Sequence, residues 1–293
     1  MSLRRLCGSA TALALTLMLA LPAIAAAAEE DKFDPSVEFK TDPYISMHLG
    51  PLDMSINKAV VYLLLAAAIC IGLGIFVIRG GLKMRPTRAQ NVVELVYEFA
   101  EQSIARPTLS EKVFSRYFPY IATLFLFIAV NNLISFIPLP VGHESSLPFV
   151  IPDFALYAAT ANINVTLGLT LVTFIVYNYE GVRAHGALGY VKTLIPDAPK
   201  AIKPFIFALE LLSQLLRLVS LSVRLFANLL AGHLLIIMCA GFVVLLGNFA
   251  GLIAIPVGVF FYTFEWVLIA GLQAFIFAML SGIYIGFAVE SSH

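Results

Sequence analysis

The stretch Ser220-Leu221-Ser222-Val223-Arg224-Leu225-Phe226-Ala227-Asn228-Leu229-Leu230-Ala231-Gly232-His233-Leu234-Leu235 lies inside an apolar segment that runs from about Phe205 to Leu246. One residue decides how the segment is read. A guanidinium stays protonated at any biological pH and is costly in hydrocarbon, so Arg224 needs a partner of opposite charge or a water-filled path. It is a functional-site candidate on that ground alone.

The rest of the chain makes hydrocarbon the right frame. Of 293 residues, 60% are hydrophobic and 12% charged, and the mean hydropathy is +0.92. That lies far outside the soluble mixture and describes an all-α polytopic protein of the lipid bilayer. The 18 basic and 18 acidic residues cancel, so the total gives no ground for a nucleic-acid partner, and the placement of charge is what informs. Cys7, Cys70 and Cys239 have no metal-ligand spacing, and neither a metal nor a cofactor is expected.

Residues 1–28 read as a secretory signal: Arg4 and Arg5, an apolar run from Ala10 to Ala20, then Ala25-Ala26-Ala27-Ala28 before acidic residues. Cleavage near Ala28 is the preferred reading, with an uncleaved signal anchor as the alternative. Either puts residues 29–57 outside the cytoplasm as an arm without its own core. Residues 58–293 form the membrane domain. Its first span, about Lys58 to Ile78, is followed by Arg79, Lys83, Arg85 and Arg88, which mark the cytoplasmic side. From Arg88 to Ala105, Val92, Val93, Leu95, Val96 and Phe99 recur at helical spacing between acidic residues, which predicts an interfacial amphipathic helix.

A second span is expected from about Tyr117 to Ile137, and a third from about Asp153 to Tyr177. The loop between them, 138–152, has no Lys or Arg and is placed outside. The third span carries Thr160, Asn162, Asn164, Thr166, Thr170 and Thr173, so it is expected to face protein or water. Arg183, Lys192, Lys200 and Lys203 make the next loop cytoplasmic. The segments from Phe205 to about Leu246 and from Leu252 to about Val289 are each about 55 to 60 Å as single helices, nearly twice the hydrocarbon thickness. They are predicted to form a hairpin of tilted helices over 205–290, turning near 247–251. About five crossings then leave the C-terminus in the cytoplasm.

A step of seven residues returns to within about 20° of the same helix face. Glu210, Arg217 and Arg224 therefore form one stripe, with Ser220 and Asn228 beside it. Glu210 and Arg217 can neutralise each other near a helix end, but Arg224 has no acid in helical reach. In the hairpin, His233 and Glu265 are about equally far from the turn. Two titratable groups facing each other at membrane depth suggest a proton path. Gln273 and Tyr284 share a face further on. No nucleotide-binding loop, nucleophile elbow, haem site or zinc spacing occurs, which disfavours an enzyme with its own active site.

These residues resemble a known family. The Ser220–Leu234 stretch is similar to the signature of subunit a of the F-type ATP synthase, the stationary half of its membrane proton channel. Gln273-Ala274-Phe275-Ile276-Phe277 resembles that family's C-terminal motif. Asn132-Leu133-Ile134-Ser135-Phe136-Ile137-Pro138 and Thr160-Ala161-Asn162-Ile163-Asn164-Val165-Thr166-Leu167 resemble its earlier helices. The resemblance spans about residues 45 to 290. It implies that Arg224 faces a rotating ring of c subunits, that Asn228 and Gln273 help hold it, and that Glu210 lies on the cytoplasmic exit path. His233 and Glu265 are implied as the pair of the external path, with Asn162, Asn164, Ser220 and Tyr284 as further channel lining. Implied partners are the c-ring, b-type peripheral stalk subunits and the rest of the synthase, in a bacterial inner membrane. Two departures stand out. Glu265 precedes Gln273 by one residue more than the family spacing, a turn of about 100° unless a local bulge absorbs it. Asn162 stands where many members have an aspartate, and an amide cannot titrate.

The alternative from another class is a secondary transporter with a midplane anion site around Arg224. It is disfavoured by the lack of an internal repeat or a broken helix. A purely structural membrane anchor is disfavoured by polar residues on three separate spans.

Overall fold

The computed structural model describes residues 48–49, 52–53, 55–79, 87–137, 157–193, 199, 202–246 and 248–290. The signal, most of the 29–57 arm and the loop 138–152 lie outside the described residues. Two-residue strands, His48–Leu49 and Leu52–Asp53, pair antiparallel before the first helix. The helices that follow are α1 (Lys58–Arg79), α2 (Arg88–Phe99), α3 (Glu111–Ile134), α4 (Ile163–His185), α5 (Ala187–Thr193), α6 (Lys203–Leu246), α7 (Asn248–Phe264) and α8 (Ala270–Glu290). A π turn at Ala100–Ala105 extends α2, and a second, Glu265–Ile269, joins α7 to α8 without a break. Among the described residues five helical stretches are long and apolar enough to cross a membrane: α1, α3, α4, α6 and the continuous α7–α8.

Local chemistry sets the boundaries. Thr87 starts α2 by accepting from the Gln90 N–H at 3.4 Å, and α2 exposes Val92, Leu95 and Phe99 as an interfacial helix should. The second span begins at Glu111, six residues before the predicted Tyr117. The third differs more. Its helix starts at Ile163 rather than near Asp153, because Asn162 is extended and its side chain accepts from the Asn164 N–H at 2.9 Å, an N-cap that a sequence of small apolar residues around it hides. It ends at Gly186, whose φ of 74° is open to glycine without strain. α6 is described to Leu246 and α7 from Asn248, at the near edge of the predicted turn.

The chain divides into two compact units. The larger takes residues 41–232 and 264–293. In it α8 buries a stripe of Ala274, Phe277, Ala278, Ser281 and Ile285 in a core shared with α3 and α4. The threonines of α4 face this protein core, as expected. Their hydroxyls donate one turn back along their own helix, Thr170 to the Thr166 carbonyl at 2.8 Å and Thr173 to that of Leu169 at 3.2 Å. A polar span is thereby satisfied without water. In the smaller unit, Gly258 lies against Cys239: a Cβ there would sit 3.3 Å from the cysteine Cβ.

The end of α8 packs closely against Thr108. A Cβ on Gly282 would meet the Thr108 hydroxyl at 2.5 Å, and one on Gly286 would meet the Thr108 carbonyl at 2.6 Å. The second obstacle is main chain and cannot swing aside. Gly286→Ala is therefore expected to cost about 1–3 kcal/mol by overpacking, read as a lower thermal midpoint of the detergent-solubilised complex. Gly271→Ala, with nothing near its Cβ position, leaves that midpoint in place.

Candidate functional site

An unbroken α6 of 44 residues keeps residues seven apart close to one face. Leu221, Leu225 and Leu229 on one side are 3%, 1% and 0% exposed and pack into the core. The other side carries the stripe expected from the sequence. Arg217 lies 3.8 Å from Glu210, and its guanidinium sits 5.5 Å above the Tyr284 ring. The expected neutralisation is formed. At this distance and partial exposure it stabilises by at most about 1 kcal/mol. Arg224 points outward and is exposed, as are Ser220, Ala227, Asn228 and Ala231 around it. Among the described residues no acidic group pairs with Arg224, and no hydrogen bond joins it to Asn228 or Gln273.

Glu265 and Gln273 are eight residues apart, which on a regular helix turns them about 80° from one another. The π turn removes the mismatch. The Ala270 N–H reaches back five residues to the Glu265 carbonyl, so Glu265–Ile269 form one widened turn that takes up the surplus residue. Both side chains then fall on the buried side, Glu265 2% and Gln273 5% exposed. The Glu265 carboxyl lies over the backbone of α6 at Gly232, where any Cβ would overlap it. Only glycine leaves that space. His233, the next residue and the first of the smaller unit, is itself buried at 3% exposure.

Towards the Lys203 end of α6 the structure adds residues that sequence reading missed. Tyr177 donates to Gln214 on α6 at 2.5 Å, and its ring lies 5.9 Å from that of Tyr284. Gln214 is one turn from Glu210 and from Arg217, a placement legible on a helical wheel; its tyrosine partner, 37 residues away, was not. Tyr177, Arg217, Tyr284, Thr170 and Thr173 line a cavity of about 10 Å3, the space of a single water. Tyr190 of α5 donates to Asn178 at 3.0 Å. Burial pushes its phenol up, the Arg217 charge opposes this and Glu210 reinforces it. Beyond them Glu180 accepts from Tyr117 at 2.8 Å and pairs with Arg116 at 3.0 Å.

The candidate lining residues thus separate. Tyr284 borders the small cavity, Ser220 lies on the Arg224 face, and Asn162 and Asn164 form the start of α4, Asn162 as its cap and Asn164 exposed.

Known proteins share this arrangement of sequence. Residues 60–286 match the family described as ATP synthase A chain. The chain is 33% identical over 271 residues to ATP synthase subunit a of Bradyrhizobium diazoefficiens, covering 89% of this chain and all of that one. It is 40% identical over 222 residues to ATP synthase subunit a of a Hydrogenobaculum species, covering 76% of this chain and 92% of the relative. A match over most of the chain, in one order and at this identity, is membership: the chain belongs to the ATP synthase A chain family.

Proposed function

We propose that this chain is the stationary half of the ion channel of an F-type ATP synthase, working against a rotating ring of c subunits in a bacterial inner membrane. The observation that carries this reading is Arg224. It lies near the middle of a spanning helix, exposed, with no acidic partner among the described residues and with Ser220, Ala227, Asn228 and Ala231 beside it. Lipid cannot solvate that charge, so it needs water or a counter-charge, and with no acid among the described residues to meet it, a counter-charge has to come from another protein. The small neighbours let a helix bearing a carboxylate come close. An anion transporter built round Arg224 would instead enclose it in a midplane pocket.

The mechanism follows from charge. A ring carboxyl crossing lipid has to be neutral. Near Arg224 the positive charge lowers its pKa and the proton leaves into one half-channel. Reloading from the other half-channel lets the neutral carboxyl re-enter lipid, so the gradient turns the ring. Arg224 also repels a hydrated proton and cannot release its own, which blocks a leak between the half-channels.

In this reading His233 and Glu265 deliver protons from outside. Glu210 serves the cytoplasmic exit, with Gln214, Tyr177 and Tyr284 at its wall. Asn228 and Gln273 order water around the arginine, and b-type stalk subunits hold the chain still. The N-terminal arm lies outside and the C-terminus in the cytoplasm, after a signal at 1–28.

Two outcomes test it in the whole synthase in inverted membranes. Arg224→Ala is expected to leave the complex assembled and to abolish ATP-driven acidification; pumping that survives sinks the reading. Gly232→Ala displaces only the flexible end of Glu265, so assembly is kept while the pumping rate falls by about tenfold or more, as misplacement of a reacting group does.

A further inference from the structure

Glu265 owes its direction to a π turn, and a π turn needs a reason to stay where it is. A surplus residue in a helix is mobile in principle: shifting the widened turn by a few residues costs no covalent change and rotates every side chain it passes by about 100°. If the turn moved to the N-terminal side of Glu265, the acid would leave Gly232.

The turn closes at Ala270, whose N–H reaches the Glu265 carbonyl. The carbonyl of the same residue accepts from the Asn132 side chain of α3 at 3.1 Å. Asn132 is fully buried, and its Oδ1 accepts from the equally buried Thr160 hydroxyl at 2.9 Å. The chemistry fixes the amide orientation. A main-chain carbonyl can only accept, so Nδ2 faces Ala270 and Oδ1 faces Thr160. Ala270 is itself 0% exposed, so water cannot stand in for the amide without opening the core.

We propose that Asn132, oriented by Thr160, is a positioning residue for Glu265: it pins the closing residue of the π turn and so keeps the acid's carboxyl over Gly232. Asn132 acts through the backbone of the last helix and does not touch the ion. Its hold lies on the side of the turn facing the core, where Asn132 of α3 and the Thr160 turn before α4 are both fixed by packing. The helix could otherwise return to regular geometry at the turn and re-form it elsewhere. The functional consequence, though not the geometry, rests on the reading of Glu265 as a proton carrier.

The geometry is tested without activity. A Cβ on Gly232 falls within the Glu265 carboxyl, so the pair Gly232→Cys and Glu265→Cys can approach the Cβ separation of about 3.5–4.5 Å that a disulfide needs. With the native cysteines replaced by alanine, this pair is expected to cross-link in the assembled synthase and to lose the cross-link on adding Asn132→Leu or Thr160→Val. Undiminished cross-linking in both would overturn the proposal. The function is tested by ATP-driven acidification of inverted membranes. Asn132→Leu in the intact chain, at normal assembled levels, is expected to lower the rate by about tenfold and to displace its dependence on lumenal pH. Deleting Leu268, half exposed within the turn, removes the surplus residue. In that background Asn132→Leu should change the rate less than about twofold, since distant effects that share one element do not add. An equal loss in both backgrounds means that Asn132 acts directly on the path, and the proposal fails. Glu265→Gln is the control: full pumping by that variant would sink the functional reading of Glu265, whatever the cross-links show about Asn132.

Discussion

Arg224 cannot be neutralised by losing its proton, and that single constraint organises the face of α6 around it. Two other arginines, by contrast, have an answer inside the chain. Arg217 meets Glu210 at 3.8 Å, Arg116 meets Glu180 at 3.0 Å, and both lie towards helix ends where long side chains reach water. Arg224 sits deeper and exposed, with no acid among the described residues to meet it. A buried internal partner would have cancelled the charge permanently, at a desolvation cost that such pairs often fail to recover. Leaving it without an acid among the described residues makes its energy depend on what stands in front of it, which is the condition that the proposed function requires.

The second acid illustrates the opposite arrangement. Glu265 is 2% exposed and lies over Gly232, with a π turn to aim it. A carboxyl so enclosed senses its neighbours strongly because little water intervenes. Its direction then matters more than its mere presence, and direction is what an irregular helix supplies. Gly232 contributes by lacking an atom, Ala270 by closing the turn, and Asn132 by holding Ala270. None of these three is titratable, yet the placement of the titratable group is the sum of their geometry.

Much of this was legible in the sequence. Seven-residue spacing placed Glu210, Arg217 and Arg224 on one stripe, and hydropathy located five spans, because both depend only on helix period and length. The one-residue excess between Glu265 and Gln273 over the family spacing left two outcomes open, a turn of about 100° or a local bulge, and the structure has the bulge. What stayed hidden joins distant segments: Tyr177 to Gln214, or Asn132 to a main-chain carbonyl 138 residues on. A backbone acceptor has no signature in side-chain letters. The start of α4 was missed for a related reason. Asn162 drew notice only as a possible channel polar group, and its bond to the Asn164 N–H, which makes it the cap of α4, joins a side chain to a backbone donor that the sequence does not display.

The irregularity also falls on the helix that can tolerate it. A surplus residue between Arg217 and Arg224 would turn the arginine by about 100°, off the face of small residues and towards the side where Leu221, Leu225 and Leu229 are packed. The guanidinium would then enter a close-packed apolar core, where an unpaired charge costs several kcal/mol or more. In the last helix the same surplus brings Glu265 and Gln273 to one buried side, and Trp266, Val267 and Leu268 within the turn remain 38%, 65% and 51% exposed on the outer one. Those three need no fixed partner within the chain, so the widened turn disturbs little packing. Regularity is therefore kept where a charge must face outward at one angle, and the bulge is placed where exposed apolar side chains absorb it.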